Sequence, residues 1–157
     1  MKYPSILALF LAITGACTVW AQVHPSEESL GHKAFAAGNY RAATAHYQKS
    51  IAKEQSGVDV EFNLVRAYLH QERINEARAL LDELIHSASE YSKFWVLRGD
   101  FFRQTSDWES AKECYEVAIE KDSTNAIAYL SLGQALSQLG DEAGAEDAFD
   151  NYRSLSP

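Results

Sequence analysis

Residues 95–115 read WVLRGDFFRQTSDWESAKECY, and residues 129–149 read YLSLGQALSQLGDEAGAEDAF. The second stretch repeats the residue types of the first after 34 residues: an aromatic residue, a glycine, an apolar residue, an alanine and a second aromatic ring. A fixed period of this length is typical of proteins that stack similar structural units, because one unit cannot bury its apolar face alone. The spacing therefore predicts a repeat architecture that offers a binding surface rather than a catalytic pocket.

The same 34-residue frame extends over most of the chain. It divides residues 24–157, predicted to form a single domain, into four repeats, residues 24–57, 58–91, 92–125 and 126–157. Within each repeat the apolar residues follow helical rather than strand spacing, and glycine followed by Asn39 or by Asp141 marks the end of a helix. Each repeat is therefore predicted to be two amphipathic helices joined by a turn, and the fold class to be all-α.

Small residues recur where the two helices of a repeat are expected to meet. Gly31, Gly99 and Gly133 occupy this position in three repeats, but Val65 occupies it in the second. A small residue lets two helices approach closely, while large side chains fill the space around it. We therefore expect the helix pair of the second repeat to sit slightly apart.

The frame also predicts how the stack ends. Two positions of each second helix are expected to pack on the following repeat, and both are apolar in the first three repeats. In the fourth repeat they become Glu142 and Arg153. Because a terminal repeat needs a polar outer face for solubility, this change predicts a monomeric stack that is complete at four repeats.

The repeated residues resemble the tetratricopeptide repeat. That pattern has an aromatic residue and Leu-Gly on the first helix, Ala and an aromatic residue on the second, and then Pro. The fourth repeat matches it with Tyr129, Leu132, Gly133, Ala145, Phe149 and Pro157. The first repeat departs from it at Glu27, where an aromatic residue is expected. The resemblance implies a right-handed superhelical stack, an α-solenoid, whose first helices line a concave groove for a peptide or helix of a partner protein.

Transferred position by position, the resemblance implies a set of partner-binding residues. They are His32, Phe35, Phe62, Asn63, Arg66, Leu69, His70, Lys93, Val96, Asp100, Arg103, Leu130 and Gln134. We expect affinity to come from exposed apolar members, and the basic members to select acidic features of the partner. The alternative is an ordinary solvated helix face on which Arg66 and Asp100 pair with each other.

Chaperone-binding members of the family hold a C-terminal carboxylate with five Lys, Asn and Arg side chains. The corresponding positions here are Glu28, His32, Asn63, Lys93 and Leu97. Asn63 and Lys93 match, whereas Glu28 would repel a carboxylate. The resemblance therefore implies that this clamp is absent.

The first 21 residues lie outside the repeat and have the character of a signal peptide. Lys2 is followed by an apolar run over residues 6–16, and small-residue cleavage chemistry ends at Ala21. A second processing route is open, because residues 14–17 read TGAC, which resembles a lipoprotein box that would lipidate Cys17. We expect an exported protein, periplasmic or secreted, or alternatively a lipid-anchored, pilotin-like assembly factor for a pilus, secretion or outer-membrane complex.

Composition and the remaining motifs argue against other functions. The formal net charge of −8 at pH 7 disfavours nucleic acid and anionic lipid as partners, so membrane association is expected only through an N-terminal lipid. No phosphate-binding loop, zinc-protease motif or nucleophile elbow occurs, and the five histidines are scattered. We therefore expect no enzymatic activity, no cofactor and no metal. Cys114 has no partner for an internal disulfide once Cys17 is removed or lipidated, and is predicted to be a partly buried apolar residue.

Overall fold

The computed structural model describes residues 25–53 and 57–156 of the 157-residue chain. Eight α-helices and no strand are found in these residues, which confirms the all-α prediction. The helices are α1 (Glu27–Ala36), α2 (Tyr40–Ala52), α3 (Val58–His70), α4 (Ile74–Ala88), α5 (Ser92–Gln104), α6 (Trp108–Lys121), α7 (Ala126–Leu139) and α8 (Glu142–Leu155). The predicted signal peptide and Cys17 lie outside the described residues.

Consecutive helices pack in pairs that we number as hairpins 1 to 4: α1–α2, α3–α4, α5–α6 and α7–α8. The second helix of each hairpin packs on the first helix of the next, and the first helices of hairpins 2, 3 and 4 also touch in order. This neighbour-to-neighbour packing is that of a helical-repeat solenoid. One hairpin falls within each of the four predicted segments, and the boundaries between repeats stay a prediction.

Every hairpin turns through a residue in the left-handed region at the same point of the frame. These residues are Gly38, Glu72, Ser106 and Gly140, with φ between 57° and 82°. The residue that follows each of them donates its backbone N–H to the carbonyl five residues earlier, at 2.9–3.0 Å, which closes the end of the helix. Glycine adopts this conformation freely, so the turns at Glu72 and Ser106 carry steric strain that the glycine turns lack.

Five of the eight helices in the described chain begin with a side chain that accepts a hydrogen bond from the first turn. The capping residues are Ser26, Asn39, Asp107, Asn125 and Asp141. Such a cap satisfies a backbone N–H that has no partner within the helix and stabilises by about 1 kcal/mol. Helices α3, α4 and α5 are preceded by Gly57, Arg73 and Tyr91, none of which provides a side-chain cap. Hairpin 2 therefore lacks this stabilisation at both of its helices.

In three hairpins an aromatic ring of the second helix lies on a glycine of the first. The pairs are Gly31 with Tyr47, Gly99 with Tyr115, and Gly133 with Phe149. A Cβ atom on any of these glycines would lie 2.4–2.6 Å from a ring carbon, closer than two carbon atoms can approach. The predicted role of small residues in bringing the two helices together is therefore confirmed.

Hairpin 2 has different residues at these two positions. Val65 stands in place of the glycine and Leu81 in place of the aromatic ring, and both are buried. Helices α3 and α4 approach each other less closely than the helices of the other three hairpins. This agrees with the separation predicted from Val65, because two branched side chains need more room between the helices than a ring lying flat on a glycine.

Buried side chains form three successive clusters along the stack. Trp95 and Phe102 pack against both the first and the second cluster, and Leu132 packs against both the second and the third. At the far side of hairpin 4, Glu142 and Arg153 are exposed, as predicted, whereas the equivalent Trp108 and Ile119 of hairpin 3 are partly covered. Of the helices in residues 25–53 and 57–156, none combines the length and the apolar character that crossing a membrane requires.

Candidate functional site

The thirteen predicted partner-binding residues all lie on α1, α3, α5 and α7, the first helices of the hairpins. We call the surface that these four helices share the first-helix face. Helix α3 touches α5, and α5 touches α7, so side chains from neighbouring hairpins can meet on this surface. The contacts below show which of the predicted residues do so.

Helices α1 and α3 are joined on the first-helix face by one polar and one aromatic contact. Asn63 donates from Nδ2 to Nε2 of His32 at 3.2 Å, and both side chains belong to the predicted site. The ring of Phe35 meets the ring of His70 edge to face, with centroids 5.4 Å apart. The structure therefore brings four predicted residues from two hairpins into one continuous patch.

Three rings and one guanidinium form the most ordered part of this patch. Tyr40 stacks flat on His70, with centroids 4.3 Å apart and planes 4° from parallel, and its ring also meets Phe35 at 5.1 Å. The guanidinium of Arg66 lies over Phe35, 5.1 Å from the ring centroid. Tyr40 is not among the predicted site residues, but it occupies the repeat position of Glu142, one of the two at which a second helix is expected to pack on the following repeat. Its contact with His70 of hairpin 2 confirms this expectation for hairpin 1.

The basic residues of the predicted site are not equally available. Lys93 pairs with Asp59 at 3.4 Å, and Arg103 pairs with Asp100 at 3.2 Å. Asp100 also accepts a hydrogen bond from the hydroxyl of Tyr115, whose pKa is raised by burial and by this carboxylate. Asp100 therefore pairs with Arg103 and not with Arg66.

Arg66 is different from the other two basic residues. It is exposed and forms no ion pair with any carboxylate of the residues that the structure describes. Its five N–H donors are held near an aromatic ring and lack a charged partner. An acidic group of a ligand could therefore pair with Arg66 without first displacing an internal carboxylate.

A cleft of about 340 Å³ opens between α3 and α5 beside Arg66. Its lining residues are Arg66, Leu69, His70, Glu72, Asp100, Arg103 and Gln104. Glu72 and Gln104 are not among the site residues predicted from the sequence. Gln104 spans the two hairpins by donating to the carbonyl of Leu69 at 2.8 Å, and it occupies the same repeat position as His70, which is the signal that could have identified it. The volume is at the small end of the range for ligand sites in proteins.

Three apolar residues expected to be exposed on this face are buried instead. Phe62, Leu69 and Val96 retain only 4%, 7% and 8% of their exposed surface. Phe62 and Leu69 belong to the first buried cluster and Val96 to the second, so packing within the stack covers most of their surface. The prediction that they are exposed contact residues was wrong. On α7, Leu130 is half-buried and Gln134 is exposed, and neither lines the cleft.

The positions of the carboxylate clamp are occupied by internal contacts. Asn63 is bound to His32, Lys93 is paired with Asp59, and Leu97 is buried in the core. The two matching residues are thus each engaged by another side chain of the stack.

Neither Cys114 nor the metal-binding residue types of the described chain form a second candidate site. Cys114 is buried in α6, as predicted, and burial raises the pKa of its thiol to about 11, so it stays protonated and weakly nucleophilic near neutral pH. Throughout the part of the chain that the structure describes, no three His, Cys, Asp or Glu side chains are grouped so that they could hold a metal ion.

The fold agrees with the result of comparing the sequence with protein families. Two family models, both describing the tetratricopeptide repeat, match residues 34–99 and residues 99–140. The chain belongs to the tetratricopeptide repeat family. No curated protein sequence matches this chain significantly.

Three solved structures are examples of proteins with a similar fold. A thermophilic tetratricopeptide protein of Thermus thermophilus superposes with a TM-score of 0.75 at 18% identity, covering 83% of this chain and 73% of that chain. MamA from Desulfovibrio magneticus gives 0.68 at 16% identity, covering 82% and 73%. The first such domain of RPAP3, bound to the HSP90 peptide SRMEEVD, gives 0.64 at 23% identity, covering 73% and 90%. At these identities the likeness shows the fold alone.

Proposed function

We propose that this chain is a non-catalytic adaptor that binds a peptide segment or a helix of a partner protein along the first-helix face. The observation that carries the proposal is the cleft between α3 and α5, with the unpaired guanidinium of Arg66 at its edge. The fold supports the proposal because the first helices of stacked hairpins present side chains from successive hairpins along one extended surface. The peptide-bound RPAP3 domain is a precedent for this fold, although it does not identify the partner of this chain.

The chemistry of the cleft indicates what kind of segment it would bind. Arg66 can form two parallel hydrogen bonds with one carboxylate, which gives both charge and direction to the contact. The rings of Phe35 and Tyr40 lie next to it and offer half-buried apolar surface. We therefore propose a segment in which an acidic side chain is followed or preceded by an apolar one.

The burial of Phe62, Leu69 and Val96 also limits the expected affinity. Apolar side chains that are already covered by the stack cannot lose further surface to a ligand, so they add little to binding. The remaining contacts are one free cation, two half-exposed rings and the polar groups of the cleft. We expect moderate binding, with a dissociation constant on the order of micromolar.

The test is site-specific photo-crosslinking in the cells that produce the protein. A photoreactive residue at His70 faces the cleft, whereas one at Arg41 lies on α2, outside the first-helix face, and both positions are exposed. We expect a crosslinked partner at position 70 that is absent at position 41. Mass spectrometry of the crosslinked peptide then identifies the bound segment.

The bound segment allows a quantitative check with purified full-length protein. A synthetic peptide of that segment should bind in calorimetry, and Arg66→Glu should weaken it by about 2 kcal/mol, since a like charge then faces the acidic side chain. Arg41→Glu makes the same change of charge outside the cleft and should leave the affinity unchanged. Equal losses in the two variants would contradict the assignment of the cleft.

A second candidate is the lipid-anchored assembly factor, favoured by the TGAC sequence at residues 14–17. It would use the same fold and the same face, so processing is the distinguishing feature. Intact-mass measurement of the mature protein should give an N-terminus at Gln22 for the exported, soluble adaptor. A mass that begins at Cys17 with added acyl chains would instead establish the anchored form.

A further inference from the structure

A second, smaller cleft lies at the seam between hairpins 2 and 3. It has a volume of about 60 Å³, and its lining residues are Arg78, Leu81, Asp82, Arg98, Phe101 and Phe102. Helices α4 and α5, which form this seam, approach each other less closely than α2 and α3 or α6 and α7 do at the neighbouring seams. The cleft therefore lies at the most loosely packed of the three seams between hairpins.

Two guanidinium groups in the lining are held by aromatic rings. The guanidinium of Arg78 lies 4.9 Å from the centroid of Phe101, and that of Arg98 lies 5.6 Å from the centroid of Trp95. Stacking on a ring fixes the position of a guanidinium without using its N–H donors. Both groups are thus positioned beside the cleft before any ligand arrives.

The donors of these two arginines have no acceptor within the described part of the chain. Neither side chain forms an ion pair, and Asp82, which also lines the cleft, is paired with neither of them. By contrast Arg73, Arg103 and Arg153 each pair with a carboxylate three residues away. Two arginines and one aspartate leave one net positive charge in the lining, in a protein whose formal net charge is −8.

This cleft is separate from the cleft on the first-helix face. A residue in an α-helix is rotated by about 100° from its neighbour, so Arg98 and Phe102 project from the side of α5 opposite to Asp100. Asp100 lines the cleft between α3 and α5, and neither Arg98 nor Phe102 does. A ligand here would not compete with a partner bound on the first-helix face.

We propose that the cleft between α4 and α5 binds one small oxyanion, a phosphate or a single carboxylate group, between Arg78 and Arg98. Forked guanidinium donors match the oxygens of such a group, and two of them can bind it from two sides. The volume of about 60 Å³ is much smaller than the 340 Å³ of the cleft between α3 and α5, which suits a single small group better than a peptide segment. The anion would bridge α4 to α5 at the seam where the helices themselves pack least closely.

The test is a nuclear magnetic resonance titration of the isotope-labelled full chain with inorganic phosphate and, in a second series, with acetate. Ionic strength is held constant with sodium chloride, because screening alone shifts exposed charged groups. We expect saturable shifts of the Arg78 and Arg98 Nε–H signals and of the Trp95 indole signal, with a dissociation constant on the order of millimolar. Saturation by phosphate alone identifies a phosphate site, and equal saturation by acetate identifies a carboxylate site.

Four variants decide whether the shifts report the proposed cleft. Arg98→Gln and Arg78→Gln should each weaken binding by about tenfold or more, since each removes charge-assisted hydrogen bonds. Arg41→Gln removes an exposed arginine from α2 and should leave the titration unchanged. Arg98→Lys keeps the charge but loses the fork, and should also weaken binding. Circular dichroism of each variant ensures that a loss of binding is not a loss of fold.

Two results would overturn the proposal. One is a linear, non-saturating shift with both anions, which would mean that the arginines respond only to bulk salt. The other is an equal loss of binding in Arg41→Gln, which would mean that the anion is attracted by general charge rather than by this cleft.

Discussion

In hairpin 3 the ring of Tyr115 lies on Gly99, whereas in hairpin 2 the same two positions hold Leu81 and Val65. All four residues are buried, but the helices of hairpin 3 approach each other more closely. A flat ring over a bare backbone fills a narrow gap, and two branched side chains fill a wider one. The same helix pair can therefore be packed in two ways, which differ in the spacing between the helices.

The two hairpins also differ at the start of their second helix. Asp107 caps α6 by accepting from the backbone N–H of Ser110, whereas Arg73 precedes α4 and provides no such acceptor. Arg73 instead pairs with Glu76 and lies over the ring of Tyr68. Hairpin 2 therefore has the weaker set of local interactions, and both clefts described above border it.

The comparison indicates where this solenoid leaves room for ligands. Hairpins that pack a ring on a glycine bring their helices close together and fill the space between them. The wider separation of α3 and α4 is followed by a loose seam between α4 and α5, and the small cleft lies at that seam. The small cleft thus lies where the helices pack loosely, because closely packed protein interiors leave almost no empty space.

The largest effect is expected from Gly99→Ala, which would disrupt the close packing of hairpin 3. The new Cβ would lie 2.4 Å from a ring carbon of Tyr115, so the ring or the helix must shift. We expect the free energy of unfolding in urea to fall by about 3 kcal/mol, the upper end for overpacking. Gly57→Ala is the matched control, because nothing lies within 4 Å of its Cβ position, and it should change stability by less than about 0.5 kcal/mol. Similar losses in both variants would mean that the ring contact does not control the spacing.

A second change would convert hairpin 2 to the arrangement of hairpin 3. Leu81→Tyr alone should overpack against Val65 and cost about 2 kcal/mol, and Val65→Gly alone should leave a cavity and cost about the same or more. The double variant restores a ring on a glycine, so its cost should be smaller than the sum by about 1–2 kcal/mol. A double-mutant cycle from urea denaturation measures this coupling, and strictly additive losses would show that α3 and α4 cannot close the gap.

A third and smaller effect concerns the helix caps. Asp107→Ala removes the hydrogen bond to Ser110 and should lower the free energy of unfolding by about 1 kcal/mol. Asp107→Asn retains an acceptor and should be nearly neutral. Arg73→Ala should cost only about 0.5 kcal/mol, because it loses an exposed ion pair and a ring contact but no cap. Thermal melts of the three variants rank them, and a larger loss in Arg73→Ala than in Asp107→Ala would reverse the comparison.

The smallest effect is expected at the turns. Ser106 has a φ of 60°, a conformation that glycine adopts freely, so Ser106→Gly should stabilise hairpin 3 by about 0.5 kcal/mol after the entropic cost of glycine. Gly140→Ser places a side chain into the same conformation in hairpin 4 and should destabilise by a similar amount. Unfolding in urea distinguishes the two signs. A loss of stability in Ser106→Gly would show that the serine turn is not strained.

Much of this fold could be predicted from the sequence because the same residue types recur at the same positions of several repeats. The positions of the helix pairs, the ring-on-glycine contacts and the exposed Glu142 and Arg153 all follow from residue type and position in the frame. Val65 even indicated which hairpin would be wider, since volume at a helix contact has a direct geometric consequence.

The candidate site was predicted less well, because exposure depends on neighbours that the frame does not describe. Phe62 and Val96 occupy positions that face the ligand in the general repeat pattern, but here they are buried in the clusters of the stack. The availability of the three basic residues likewise depended on contacts with carboxylates, of which Lys93–Asp59 spans two hairpins. Repeat position identifies the helix face on which a residue lies, but not what else reaches it.

The sequence by itself determined the family, the helical period and the side of each helix that packs, because these depend on residue types at fixed separations along one chain. The tertiary structure alone decided that Arg66 has no carboxylate partner among the residues it describes and that clefts open on both sides of α5. These features arise from the distances between different hairpins, and such distances follow from how all the side chains in the stack pack together rather than from any one repeat.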